Sequence, residues 1–130
     1  MPTQQYIFRV AEVVRVTDGD TVHLRIAVGF HAEVMATVRL LGYDTPERNK
    51  GSVHEKAEAR RAHAVTAEFL ARTDGDLWIR TEKDPDVFGR WLGDIWLETG
   101  DTKRHLGAEL RAAGLASIWP RRWREEFDAT

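Results

Sequence analysis

The stretch Val14-Arg15-Val16-Thr17-Asp18-Gly19-Asp20-Thr21-Val22-His23-Leu24-Arg25-Ile26 sets the pattern for the rest of the chain. Before its centre Val14 and Val16 share one parity with Phe8 and Val10, and after it Val22, Leu24 and Ile26 share another. Apolar residues at a period of two mark a strand with one buried face. Between the runs stands Asp18-Gly19, a dipeptide that reverses a chain through positive φ. The segment therefore reads as a hairpin, with strands at about residues 6–16 and 21–26. Ile7 and Val13 break the alternation of the first strand and add β-branched bulk. The phrase returns as Thr73-Asp74-Gly75-Asp76, which reads as a second turn rather than a duplicated domain.

Gly29 interrupts the second strand, and residues 34–41 give a third. The period then changes. Between residues 52 and 72, Ala62, Val65 and Phe69 fall at i, i+3 and i+7, while Glu55, Lys56, Arg60 and Arg61 lie elsewhere on the same helix. Residues 77–81 and 91–97 supply the fourth and fifth strands, with Trp78, Trp91 and Trp96 as core or barrel-surface residues. Leu106, Leu110 and Ala113 mark a second helix, with Gly114 at C′. Trp119, Trp123 and Phe127 recur at i, i+4 and i+8, the spacing of a last helical turn or two. The expected fold is α+β: a five-stranded OB-type β-barrel with a helix between strands 3 and 4 and one or two C-terminal helices. Side chains fill so small a barrel, so a site belongs on its outer surface or mouth.

The chain's 130 residues suit one domain, expected over 1–130 with the barrel and helices at about 6–119 and a tail at 120–130. At 42% hydrophobic and 31% charged, the composition is that of a globular protein. No apolar run approaches the roughly 20 residues of a membrane span. The absence of cysteine excludes disulfides, thiolate metal sites and thiol nucleophiles. Residues 1–10 include Gln4, Gln5 and Arg9 and do not read as an export signal. The expectation is a cytoplasmic monomer, with a phage-encoded or trimmed secreted origin left open. A net charge of −2 excludes a strongly basic nucleic-acid binder but leaves room for a local basic cleft. The five histidines, His23, His31, His54, His63 and His105, show no metal-ligand spacing.

Three segments carry groups suited to chemistry. Asp18 and Asp20 sit at the hairpin tip, where hard divalent cations find oxygen ligands on rigid supports. In Arg39-Leu40-Leu41-Gly42-Tyr43-Asp44-Thr45-Pro46-Glu47, an arginine flanked by apolar residues must find an anion, either a carboxylate or a phosphate. Asp44 and Glu47 there flank a loop stiffened by proline, although Asp-Thr-Pro-Glu also reads as the start of a helix. In Phe88-Gly89-Arg90, a glycine bend delivers an arginine to the base of a strand. Taken alone, the first reads better as a plain hairpin, the second as readily as a helix entry, and the third better as an exposed turn arginine. Together they supply carboxylates and guanidinium groups from three places that a meander brings together, the equipment for metal-assisted phosphodiester hydrolysis.

These blocks, in this order, resemble the signature segments of the staphylococcal nuclease-like (thermonuclease) family. Gly107-Ala108-Glu109-Leu110 and Ala113-Gly114-Leu115-Ala116 are similar to its second helix and the exit from it. The resemblance covers roughly residues 10–119. It implies a calcium-dependent endonuclease acting on single-stranded or melted DNA and on RNA, which cleaves the P–O5′ bond and leaves 3′-phosphates. On that resemblance Asp20 and Asp44 are carboxylate ligands of Ca2+, Thr45 gives its backbone carbonyl, and Asp18 stands behind them. Glu47 matches the carboxylate that orients or deprotonates water, and Arg39 and Arg90 match the two phosphate clamps.

The chain also departs from the family pattern. Val87-Phe88 replaces the usual Lys-Tyr, so Phe88 offers a stacking face without a hydroxyl, and Trp119 stands near the place of a tyrosine. Weaker nucleotide binding and a steep loss of activity in salt are expected. The alternative is a non-catalytic OB-fold module binding nucleic acid or protein.

Overall fold

A computed structural model of the chain describes residues 6–46, 51–84 and 87–118. β1 (Ile7–Asp18), β2 (Thr21–Gly29) and β3 (Ala32–Leu40) form an antiparallel meander. A short β4 (Tyr43–Asp44) precedes α1 (Val53–Leu70). β5 (Asp76–Lys83) then pairs with β1, and β6 (Arg90–Thr99) pairs antiparallel with β5. β6 also runs parallel to β3, from Thr37↔Arg90 to Leu40↔Gly93. That pairing closes five strands into a barrel in the order β3-β2-β1-β5-β6. The expected α+β OB-type architecture, with its helix between the third and fourth barrel strands, is borne out.

The strict alternation of β2 fills the barrel. Val22, Leu24 and Ile26 are buried with Val38 and Leu40 of β3, Ile79 of β5 and Ile95 and Leu97 of β6. Burying each such side chain contributes about 1.5–3 kcal/mol. β1 alternates loosely because its register with β2 shifts between Val10 and Glu12, Val13 and Arg15, and Val16 and Asp18. Each bulge places an extra residue opposite one partner and resets the parity. Trp96 is buried, whereas Trp91 is exposed.

The hairpin tip corrects one expectation. Neither Gly19 nor Gly75 has a positive φ. What glycine supplies there is space. A Cβ on Gly19 would stand 2.8 Å from the Ala62 Cβ of α1, and one on Gly75 would stand 2.2 Å from the Glu98 carbonyl oxygen. Positive φ is used instead at Gly42, Gly89 and Gly114, with φ of +82°, +81° and +74°.

α1 begins at a capping box, in which the Ser52 hydroxyl accepts from the Glu55 N–H and the Glu55 carboxylate accepts from the Ser52 N–H. Its buried residues Ala59, Ala62, Thr66, Phe69 and Leu70 face the barrel. β7 (Thr102–His105) extends the sheet beyond β6, and α2 (Leu106–Ala112) follows. The Gly114 N–H donates to the Arg111 carbonyl and the Leu115 N–H to the Leu110 carbonyl, a Schellman ending with Leu110 and Leu115 both buried. The turn sends the chain into β8 (Ser117–Ile118), which pairs with β4 through Tyr43↔Ile118 and Asp44↔Ser117. Thus the end of α2 fixes the strand that carries Asp44. Trp119 and the rest of the tail lie outside the described residues.

Candidate functional site

The site assembles where the β1–β2 turn, the end of β3 and β4 meet. Two contacts hold the turn. The Thr66 hydroxyl, fully buried in α1, donates to the Gly19 carbonyl at 2.7 Å. The Leu40 N–H donates to the Asp20 carbonyl at 2.8 Å. Asp20 is 5% exposed, and its carboxylate is fully engaged. Oδ1 accepts from the Thr21 hydroxyl at 3.1 Å and Oδ2 from the Thr45 N–H at 3.1 Å.

Arg39 stands opposite Thr21 in the β2–β3 register. Its Nη2 lies 3.8 Å from Asp20 Oδ2 and is ion-paired with Asp44 Oδ1. The anion required by an arginine between apolar neighbours is therefore a pair of carboxylates, one buried and one about half exposed. A single cationic nitrogen bridges oxygens drawn from the first hairpin and from β4. Thr45 is buried beside them, and its Oγ1 has no hydrogen-bond partner among the described residues. Asp18 closes β1 opposite Thr21, one register position from Asp20.

Arg90 lies at the start of β6, opposite Thr37 and two residues along from the Arg39↔Leu92 pair. Its Nε donates to Asp84 Oδ2 at 2.8 Å. The Asp84 side chain is only 3% exposed, against 24% for Arg90. Asp84 thus holds one edge of the guanidinium, and the turn between them carries Gly89 at positive φ. Phe88, in that turn, is fully exposed.

The structure therefore brings together Asp20, Arg39, Asp44 and Thr45, and places Arg90 on the strand next to Arg39. Asp18 stands opposite Thr21 at the end of β1, and Phe88 precedes Arg90 by two residues in the turn. Glu47 and Trp119 lie outside the described residues. Sequence reasoning missed Asp84 and Thr66, which orient Arg90 and the β1–β2 turn respectively. A hydroxyl at a buried position of α1 was the available signal for Thr66. The burial of Asp84 follows only from barrel closure.

The Asp20 and Asp44 carboxylates, which share the Arg39 Nη2, are the charged oxygen donors here that could hold a hard cation in place of that guanidinium. Among the described residues no cluster of three or more His, Asp or Glu side chains is available to a metal. A cation of about six to eight oxygen ligands would therefore draw most of its shell from backbone and water. The donor set fits calcium better than a metal that demands nitrogen or sulfur ligands.

A family model described as staphylococcal nuclease homologue matches residues 37–129. The match opens within β3, so it spans Arg39, Asp44, Thr45 and Arg90 but not Asp18 or Asp20. No curated protein matches the chain. Among the described residues no helix is long and apolar enough to cross a membrane.

Proposed function

Because the chain belongs to the staphylococcal nuclease homologue family, we propose that it is a calcium-dependent endonuclease of single-stranded or melted DNA and of RNA. Family and fold make it a nuclease or nucleic-acid-binding domain of OB type. The observation that carries the catalytic reading is the convergence of Asp20 and Asp44 on Arg39, with Arg90 on the adjoining strand. Two carboxylates and two guanidinium groups gathered from distant segments cost desolvation that a neutral outer face of the barrel would avoid.

In this reading Asp20, Asp44 and the Thr45 carbonyl hold Ca2+, which when bound supplies Lewis-acid polarisation of a phosphoryl oxygen. Asp18, beside them at the end of β1, adds negative charge behind the ligands. Arg39 and Arg90 donate forked hydrogen bonds to the non-bridging oxygens, where charge develops as phosphorus becomes five-coordinate. Glu47 orients a water and takes its proton as the new O–P bond forms. The P–O5′ bond breaks, O5′ leaves as an alkoxide that takes a proton from solvent water, and the phosphate stays on the 3′ oxygen. Phe88 and Trp119 supply stacking faces for bases. Every group comes from one chain, which suits a monomer.

The test is incubation with denatured DNA and with RNA in calcium, in magnesium and in chelator, with Glu47→Ala and Arg39→Ala in parallel. Cleavage in calcium that both variants lose supports the reading. A pure wild-type protein that binds strands under every condition and cuts none is the OB-fold module instead.

A further inference from the structure

From the rows of residues that cross the barrel, we propose a phosphate-binding track on its outer face, formed by Arg15, His23 and Thr37 and leading away from the Arg39–Arg90 pair. It takes the backbone of a single-stranded nucleic acid beyond the bond to be cut. The inference rests on the nuclease reading for its starting point.

The three residues form one transverse row. Arg15 pairs with His23 across β1 and β2, His23 with Thr37 across β2 and β3, and Thr37 with Arg90 across β3 and β6. Four strands at about 4.8 Å spacing give a row of roughly 14 Å. The row above it holds Asp18, Thr21, Arg39 and Leu92, and so adjoins the candidate metal site.

Hydrogen bonds tie the row together. Arg15 Nη2 lies 3.3 Å from His23 Nε2, the Thr17 hydroxyl 2.9 Å from the same nitrogen, and the Thr37 hydroxyl 3.1 Å from His23 Nδ1. The guanidinium can only donate toward Nε2, and the Thr37 hydroxyl faces Nδ1. The imidazole therefore spaces Arg15 from Thr37 and holds both facing outward across the sheet.

Charge distinguishes this row from its neighbour. One step further along the strands, Arg25 is ion-paired with both Glu12 at 2.9 Å and Glu33 at 3.1 Å. That row is balanced. Arg15 is exposed and has no carboxylate partner among the described residues. The carboxylate at the far end of its row, Asp84, occupies one edge of Arg90. A polyanion crossing β6, β3, β2 and β1 thus meets Arg90, a hydroxyl, an imidazole and a guanidinium with no carboxylate partner among the described residues, in a protein whose net charge is −2. Arginine and hydroxyl side chains are the usual contacts to phosphate oxygens, which position a strand without reading its sequence. A run of several nucleotides on one OB face is within the range of such folds.

The test is binding of a single-stranded oligothymidylate of about twelve nucleotides and of a thymidine dinucleotide, in chelator so that nothing is cut. Arg15→Ala is expected to weaken the long strand roughly five- to tenfold at low salt. It should reduce the slope of log affinity against log salt by about 0.7, the value of one phosphate contact on a single strand. The defect should shrink on the dinucleotide. Thr37→Val, which removes no charge, should weaken the long strand and leave the slope alone. Arg111→Ala, an exposed arginine of α2, controls for net charge. Wild-type affinity and slope in Arg15→Ala, or an equal loss in Arg111→Ala, overturns the track. A wild-type protein that never cleaves in calcium, yet loses long-strand binding in Arg15→Ala, leaves the track standing and sinks the nuclease reading alone.

Discussion

The Thr45 N–H donates to Asp20 Oδ2 at 3.1 Å, joining two segments 25 residues apart in sequence. That bond, with the Thr21 hydroxyl on Oδ1, fixes the plane of a nearly buried carboxylate. Its backbone donor belongs to the residue after Asp44, so the second carboxylate is registered on the first. Pairing of Asp44 with Ser117 fixes β4 from the other side. The candidate ligands are thus positioned by a backbone N–H, a neighbouring hydroxyl and the pairing of β4 with β8.

Gly19→Ala should destabilise the fold by about 1–3 kcal/mol, as overpacking does in a well-filled core. The added Cβ would lie 2.8 Å from Ala62 Cβ and 3.1 Å from Thr45 Oγ1. Urea unfolding measures the loss. A stability equal to wild type would show that α1 does not press on the turn.

Thr66→Val keeps the shape and removes the donor to the Gly19 carbonyl. A buried acceptor left without its partner costs about 1–3 kcal/mol. Because that carbonyl precedes Asp20, weaker calcium binding should accompany the lower urea midpoint. Unchanged affinity in a destabilised protein would confine Thr66 to a packing role.

Asp84→Asn leaves Arg90 in place but gives it a neutral partner at the 2.8 Å contact. The substitution removes the ion pair while the donor stays charged, so the guanidinium should be held less firmly. The expected result is a fall in kcat of several-fold, well short of the loss in Arg90→Ala, with KM little changed. Equal kcat in Asp84→Asn and wild type would remove Asp84 from the mechanism.

Arg39→Lys retains the charge but loses the fork. If Arg39 acts by two-pronged donation to phosphate, lysine should recover little of the hundredfold or greater rate loss expected of Arg39→Ala. Near-complete rescue by lysine, measured as kcat on denatured DNA, would reduce its role to neutralising Asp20 and Asp44.

Much of this was legible in the chain because the elements that close the barrel are regular. β2 alternates without a bulge until Ala27, and its register with β3 is unbroken over the same span. β1 was blurred by its three register shifts, although the strand itself was evident. β4 and β8, at two residues each, are too short for any periodicity, and they meet where the Schellman turn of α2 redirects the chain. Gly19 marks the turn in the sequence, but its role there is close approach to α1 and not positive φ, and that approach depends on tertiary packing. Arg39 announced itself by lying between Val38 and Leu40, where a charge needs an anion. Asp84 did not, because an aspartate before a turn looks ordinary until the barrel closes over it.

Calcium titration by calorimetry, on the wild type and on Asp20→Asn and Asp44→Asn, tests the central claim most directly. The account predicts one ion per chain in the wild type and at least a tenfold loss of affinity, roughly 1.4 kcal/mol, in each variant. Binding that survives both substitutions, or no binding by a folded wild-type protein at millimolar calcium, would contradict it.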